Sequence, residues 1–218
     1  MSGFQYYNSS GALTIDSTNK SIGISAYKGN PGLMDVGSVV FAGGSAMGNG
    51  TALGWLPLNF FPANGMRWWR PLTDGGWGMC GGGLFTPNSG DFMLTSPNNG
   101  IASGYLDVFD ASGNLVWSAA SAGTMPRVMD FFTVPNTHDL SNAINLNSSF
   151  ANPWICISQC PGNSSEAGEG QGGYSGLLIR RNSPTNFTLQ YIARRQKTYY
   201  QAMGSNGIRI ALASFTGY

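Results

Sequence analysis

The sequence predicts an all-β protein, an antiparallel β-sandwich or jelly-roll-like fold with two related halves each opened by a β-hairpin. Three observations carry that prediction. The chain contains 32 glycines in 218 residues, and each makes a helix interior costly and a tight turn cheap. Short apolar runs, several alternating with period two, recur between clusters of Gly, Pro, Asn and Ser, which is the punctuation of strands and turns. One hairpin pattern occurs twice.

The first copy lies at the start. Alternating residues on either side of Asn8, Ser9, Ser10 and Gly11 predict a hairpin over 3–17, with Leu13 and Ile15 on one face of the return strand. The second copy predicts a hairpin over 105–118. Tyr7 matches Phe109, Asn8 matches Asp110, Ser10 matches Ser112, Gly11 matches Gly113, Leu13 matches Leu115 and Ile15 matches Trp117, without a gap. The match divides the chain into an N-terminal β half, 1–102, and a C-terminal β half, 103–218, which can pack as one domain. Turn chemistry alone would produce the Asn/Asp-x-Ser-Gly portion by convergence.

Further strands are expected at 22–27, 38–41, 66–69, 91–94, 127–134, 154–158, 176–180, 187–192, 198–201 and 208–212, the last four as successive antiparallel strands. Asp139 is placed to cap one or two helical turns. The stretch 161–173 is too polar and glycine-rich to pack and is expected to be a mobile loop.

Hydrophobic residues make up 42% of the chain, enough at this length for a core that needs no disulfide or metal. Charged residues make up 10%, well below the roughly 25% of an ordinary soluble domain. The exterior is therefore largely uncharged and polar, as in proteins that share their surface with partners. A net charge of +1 gives no global attraction to nucleic acid or an anionic membrane. No segment approaches the roughly 18 apolar residues of a membrane span, and the first residues lack the regions of a signal peptide. The expectation is a protein made and kept soluble in the cytosol, with Cys80, Cys156 and Cys160 as buried free thiols and a Cys156–Cys160 disulfide as the alternative. A zinc site would lack a fourth ligand, since there is neither a C-x-x-C pair nor a second histidine.

From Gly176 onward the chain carries no acidic residue. Arg180, Arg181, Arg194, Arg195 and Lys197 are candidates for a basic patch facing an acidic partner or phosphate. Arginines snorkelling beside core residues give the same pattern.

Catalytic chemistry is poorly supported, and the expectation is a protein that is not an enzyme and needs no cofactor. His138 sits in a turn beside Asp139, and no nucleophile elbow occurs. A glycosidase would need two fixed carboxyl groups, whereas Glu166 and Glu169 both fall in the expected loop. Gly168, Gly170 and Gly173 match a dinucleotide fingerprint formally, but a strand follows where a helix is required. The aromatic residues Trp55, Phe60, Phe61, Trp68, Trp69 and Trp77 are concentrated in one segment. On a strand, one of Trp68 and Trp69 is expected to face outward, so Trp55, Trp68, Trp69 and Trp77, with Tyr174, are candidates for partner or glycan contact. Core filling is the competing role.

Residues 4–18, followed by the short strand 22–27, resemble the opening of small tail-tip and fibre-associated proteins of long-tailed bacteriophages. Those chains repeat a hydrophobic strand, an Asn or Asp, a Ser-Gly turn and a Leu-x-hydrophobic-Asp-Ser strand. The polar Gly/Asn/Ser/Thr surface and the run 208–215 fit the same picture. The resemblance implies a virion structural protein of the tail, made in the host bacterial cytoplasm. It would be present in several copies, a trimer favoured, and attached to a central fibre or tail-tip hub, with contact to a bacterial surface glycan as an added role. A freestanding or fibre-borne glycan-binding module is the alternative, and a glycan-degrading enzyme stands behind it.

Overall fold

The computed structural model describes residues 5–7, 13–29, 34–42, 49–55, 65–165 and 173–218, and the chain is an all-β sandwich of antiparallel sheets. It opens with β1 (Gln5–Tyr7), β2 (Leu13–Asp16), β3 (Gly23–Lys28), β4 (Met34–Ala42) and β5 (Asn49–Trp55). Then come β6 (Met66–Pro71), β7 (Trp77–Met79), β8 (Leu84–Phe85) and β9 (Gly90–Ser96). A hairpin of β10 (Asp107–Phe109) and β11 (Leu115–Ser118) precedes β12 (Arg127–Val134), β13 (Ile144–Asn147), β14 (Trp154–Cys156) and β15 (Gly162–Ser165). The chain closes with β16 (Gly173–Arg181), β17 (Asn186–Arg194), the short helix α1 (Tyr199–Met203) and β18 (Ile208–Ser214).

One sheet has six strands in the order β12-β18-β14-β6-β9-β3. The other has eight, ordered β13-β17-β16-β7-β8-β5-β4, with β15 beside β16. Strands from 1–102 and 103–218 enter both sheets: β6 pairs with β14, and β7 pairs with β16. Ladder hydrogen bonds therefore join the two halves of the sequence.

Alternation along each strand builds the core between the sheets. The six-stranded sheet contributes Trp69, Phe92, Phe132, Ile155 and Leu212, and the eight-stranded sheet contributes Phe85, Leu177, Ile179, Phe187 and Leu189. Their rings interlock across the gap. Trp69 lies 5.0 Å from Phe85, Phe85 lies 4.8 Å from Phe92, and Phe132 lies 5.1 Å from Phe187, centroid to centroid.

Both outer faces carry buried apolar groups as well. After β18 the chain turns back over the six-stranded sheet, and the Phe215 ring packs edge-on against Trp68 at 5.6 Å and Trp154 at 5.7 Å. A second cluster, on the outer face of the eight-stranded sheet, consists of Trp77, Met79, Leu84, Tyr174, Leu178 and Ile192. Beside the eight-stranded sheet, the turn after β7 and the start of β15 touch backbone to backbone: a Cβ on Gly81 would lie 2.5 Å from the Gly162 amide nitrogen.

The two hairpins share one geometry at a constant offset. In the first, Gln5 faces Asp16, Tyr6 faces Ile15 and Tyr7 faces Leu13, with a bulge between Tyr6 and Tyr7. In the second, Asp107 faces Ser118, Val108 faces Trp117 and Phe109 faces Leu115, with a bulge between Val108 and Phe109. Each return strand ends on a side chain that accepts from the amide two residues on: Thr18 to Asp16 at 2.9 Å, Ala120 to Ser118 at 3.2 Å. The second turn is held by the Asp110 carboxylate, which accepts the amides of Ser112 and Asn114 at 2.8 Å each. Gly113 there has φ +83°, a value that glycine adopts without strain. The hairpins pack on each other through Ile15, Val108 and Val116, with Trp117 against them.

Three expectations are corrected. No helix starts at Asp139. Its carboxylate accepts the Ser141 amide at 2.9 Å and its carbonyl accepts the Asn142 amide, which closes a turn before β13. Residues 198–201 are the start of α1 instead of a strand: the Thr198 hydroxyl accepts the Gln201 amide, while the Gln201 side chain accepts the Thr198 amide, a reciprocal pairing that satisfies two free donors of a first helical turn. Within the expected loop 161–173, Gly162–Ser165 is a strand paired with the start of β16, and 166–172 lies outside the described residues.

Candidate interaction surface

Three of the four tryptophans singled out in the sequence, Trp68, Trp69 and Trp77, are interior. Trp68 and Trp69 are both completely buried and Trp77 is 2% exposed, so the expectation that one of the adjacent pair faces outward is corrected. The pleat does send them to opposite faces, but Phe215 covers one face and the opposing sheet covers the other. The Trp68 indole donates to Thr95 Oγ1 at 3.0 Å. Tyr174 is also buried, in the cluster with Trp77. Trp55 stands on β5, but its side chain lies outside the described residues, as do Phe60 and Phe61.

The predicted basic patch divides. Arg181 is buried: it forms an ion pair with Asp74 at 2.8 Å and donates Nη1 to the Pro71 carbonyl at 2.8 Å, fixing the turn that follows β6. That residue is therefore corrected from surface contact to turn anchor. Arg180 is half-buried opposite Trp77 in the ladder. Arg194, Arg195 and Lys197 are exposed at the end of β17, and these three are what the structure leaves of the patch.

Exposed apolar groups gather in two other places. The paired hairpins display Tyr6, Tyr7, Tyr105, Leu106 and Phe109, with Tyr7 and Phe109, the matched positions of the repeat, 50% and 51% exposed. Edge strand β12 displays Val128, Met129 and Phe131, and the Arg209 guanidinium sits 3.9 Å above the Phe131 ring. Three carboxylates border the hairpins: hydrogen bonds from Thr18, Ser103 and Asn114 hold Asp16, Asp107 and Asp110, respectively, below the ordinary aspartate range. They stay ionised in neutral solution.

The outer face of the six-stranded sheet carries a mixed cluster that the sequence reading did not single out. Arg70 and Asp91 face each other in the β6–β9 ladder and form an ion pair at 2.5 Å. The Arg70 guanidinium lies 4.7 Å over the Trp154 ring. Burial, and next the Asp91 charge, push the Tyr27 hydroxyl above its ordinary pKa, and that hydroxyl bonds Asp91. The Tyr27 and Tyr218 rings lie 4.8 Å apart, and both are exposed.

A family model, Domain of unknown function (DUF8377), matches residues 1–217. The chain belongs to the DUF8377 family. Comparison with curated proteins and with solved structures finds no match. The matched span of this DUF8377 chain takes in both hairpins and both large sheets.

Titratable chemistry in the DUF8377 chain is sparse where it can be described. His138 is half-buried, its amide closing a turn on Pro135, while the neighbouring Asp139 carboxylate is engaged by Ser141. Among the described residues, no group of three or more His, Cys, Asp or Glu side chains is placed to hold a metal ion. Glu166 and Glu169, with Gly168 and Gly170, lie outside the described residues. The three thiols are free and buried. A hydrogen bond between the Cys160 and Cys80 thiols, and next burial, raise the Cys160 pKa well above the ordinary thiol value. Burial, and next the neighbouring Cys160, push the Cys156 thiol up to about 12. Such thiols are packing groups, because the thiolate is the reactive form.

Proposed function

We propose that this chain is a virion structural protein of a phage tail-tip or tail-fibre complex, working by docking to other tail components and without catalysis. The observation that carries the reading is the hairpin pair. Two copies of one motif, with the same register and the same bulge, pack on each other and present matched aromatic side chains to solvent. Exposed aromatic residues on a rigid platform are favourable docking anchors. The exposed apolar edge of β12 adds a second surface of the kind that strand pairing or assembly covers. A weakly charged exterior suits repeated contacts in a symmetric assembly, and a homo-oligomer, a trimer favoured, follows from the same reading. The basic side chains Arg194, Arg195 and Lys197 supply a contact for an acidic partner.

Immunogold labelling of intact phage particles with antibodies raised against the purified chain tests this. Label at the distal end of the tail is the expected result. Antibodies that bind the purified chain and label no part of intact or disrupted particles overturn it.

A further inference from the structure

We propose that the outer face of the six-stranded sheet holds a saccharide-binding site, with the Tyr27 and Tyr218 rings as its platform and Arg70, Asp91 and Trp154 as its floor. Register fixes the site. Arg70 and Asp91 are ladder partners on β6 and β9, and Tyr27 lies one strand further out, opposite Met93. Tyr218 is brought over it by the turn after β18, in which the Tyr218 amide bonds the Phe215 carbonyl.

The chemistry of these groups selects the ligand class. Two rings 4.8 Å apart, 39% and 46% exposed, offer apolar faces next to water, and the C–H face of a pyranose ring packs on such a surface. The ion pair beside them supplies both a donor and an acceptor, which is what adjacent sugar hydroxyls require. Two donors in the floor have no protein partner: Arg70 Nε and the Trp154 indole Nε1. Both atoms are closed to solvent, so they belong to the packing beneath the rings and offer no bond to a ligand. Charge decides against an anion, because the guanidinium is already neutralised by Asp91 at 2.5 Å, leaving a site suited to a neutral, hydroxyl-rich ligand. This site lies apart from the buried Trp68, Trp69 and Trp77, and it requires nothing of the virion assignment.

The test is isothermal titration of the whole chain with lactose, maltotriose, chitotriose and a rhamnose trisaccharide. At least one is expected to bind with Kd between about 0.1 and 10 mM. Tyr218→Ala, and separately Tyr27→Ala, are expected to weaken that binding about tenfold or more, while Trp77→Phe leaves it unchanged. Because Arg70→Ala removes a partner of Asp91 and endangers folding, Tyr218→Ala is the primary variant, with its melting temperature measured alongside. No heat with any of the four sugars up to about 20 mM, or undiminished binding by a folded Tyr27→Ala/Tyr218→Ala chain, overturns the proposal.

Discussion

The backbone amide of Ser21 donates to the carbonyl of Val116 at 2.8 Å, so the segment leaving the first hairpin is bonded to the return strand of the second. Together with the Ile15, Val108 and Val116 contact, that bond makes the two hairpins one unit. Ile15→Ala and Val116→Ala should each cost about 1–3 kcal/mol, since both side chains are buried in a small cluster. In urea unfolding the double variant should cost less than the sum by about 0.5–1 kcal/mol. Strict additivity would show that the hairpins do not support each other.

Acid should loosen the hairpin unit. Hydrogen bonds from the Asn114 side chain, then its amide, hold Asp110 below its ordinary value of 3.8. A carboxyl with a lowered folded pKa adds stability that is fully present above the unfolded pKa and is lost as pH falls through the folded one. The Ser112 and Asn114 amide resonances should therefore be constant from neutral pH to about 5 and titrate with a midpoint below 3.8. A midpoint at or above 3.8 contradicts the assignment, and Asp110→Asn should remove the titration.

The thiols should be silent in the folded chain. With the Cys156 pKa at about 12, roughly one molecule in ten thousand carries a thiolate there at pH 8. Maleimide labelling followed by mass spectrometry should show no adduct on Cys156 or Cys160 in buffer, and three adducts per chain in denaturant. Rapid labelling of native Cys156 would contradict the burial described.

Trp68→Ala should behave as a core deletion and not as the loss of a surface contact. The side chain is fully buried, so about 3–5 kcal/mol of stability should be lost, a drop of several degrees or more in Tm for a chain of this size. A variant that melts like the wild type would restore Trp68 to the surface.

The strand pattern, the two hairpins and their matched positions were legible in the sequence because period-two alternation and turn residues are local signals. Local signals do not report what lies over a face. Alternation correctly separates Trp68 from Trp69, but only the tertiary path of Phe215 shows that the outward ring is covered. Arg181 misled for the same reason, since its partners, Asp74 and the Pro71 carbonyl, belong to a distant turn. The helix at Tyr199 was readable: Thr198 and Gln201 stand at capping-box spacing, although the two tyrosines between them favour a strand. The Tyr27–Tyr218 cluster was not readable, because 191 positions separate residues that only the closing turn brings together.

Mass spectrometry of phage particles purified from cultures that produce this chain tests the proposed tail role most directly. Peptides of the chain, in an amount corresponding to a few copies per particle and enriched with tail over capsid fractions, are the predicted result. Abundant chain in the infected-cell lysate with none in the purified particles would contradict it.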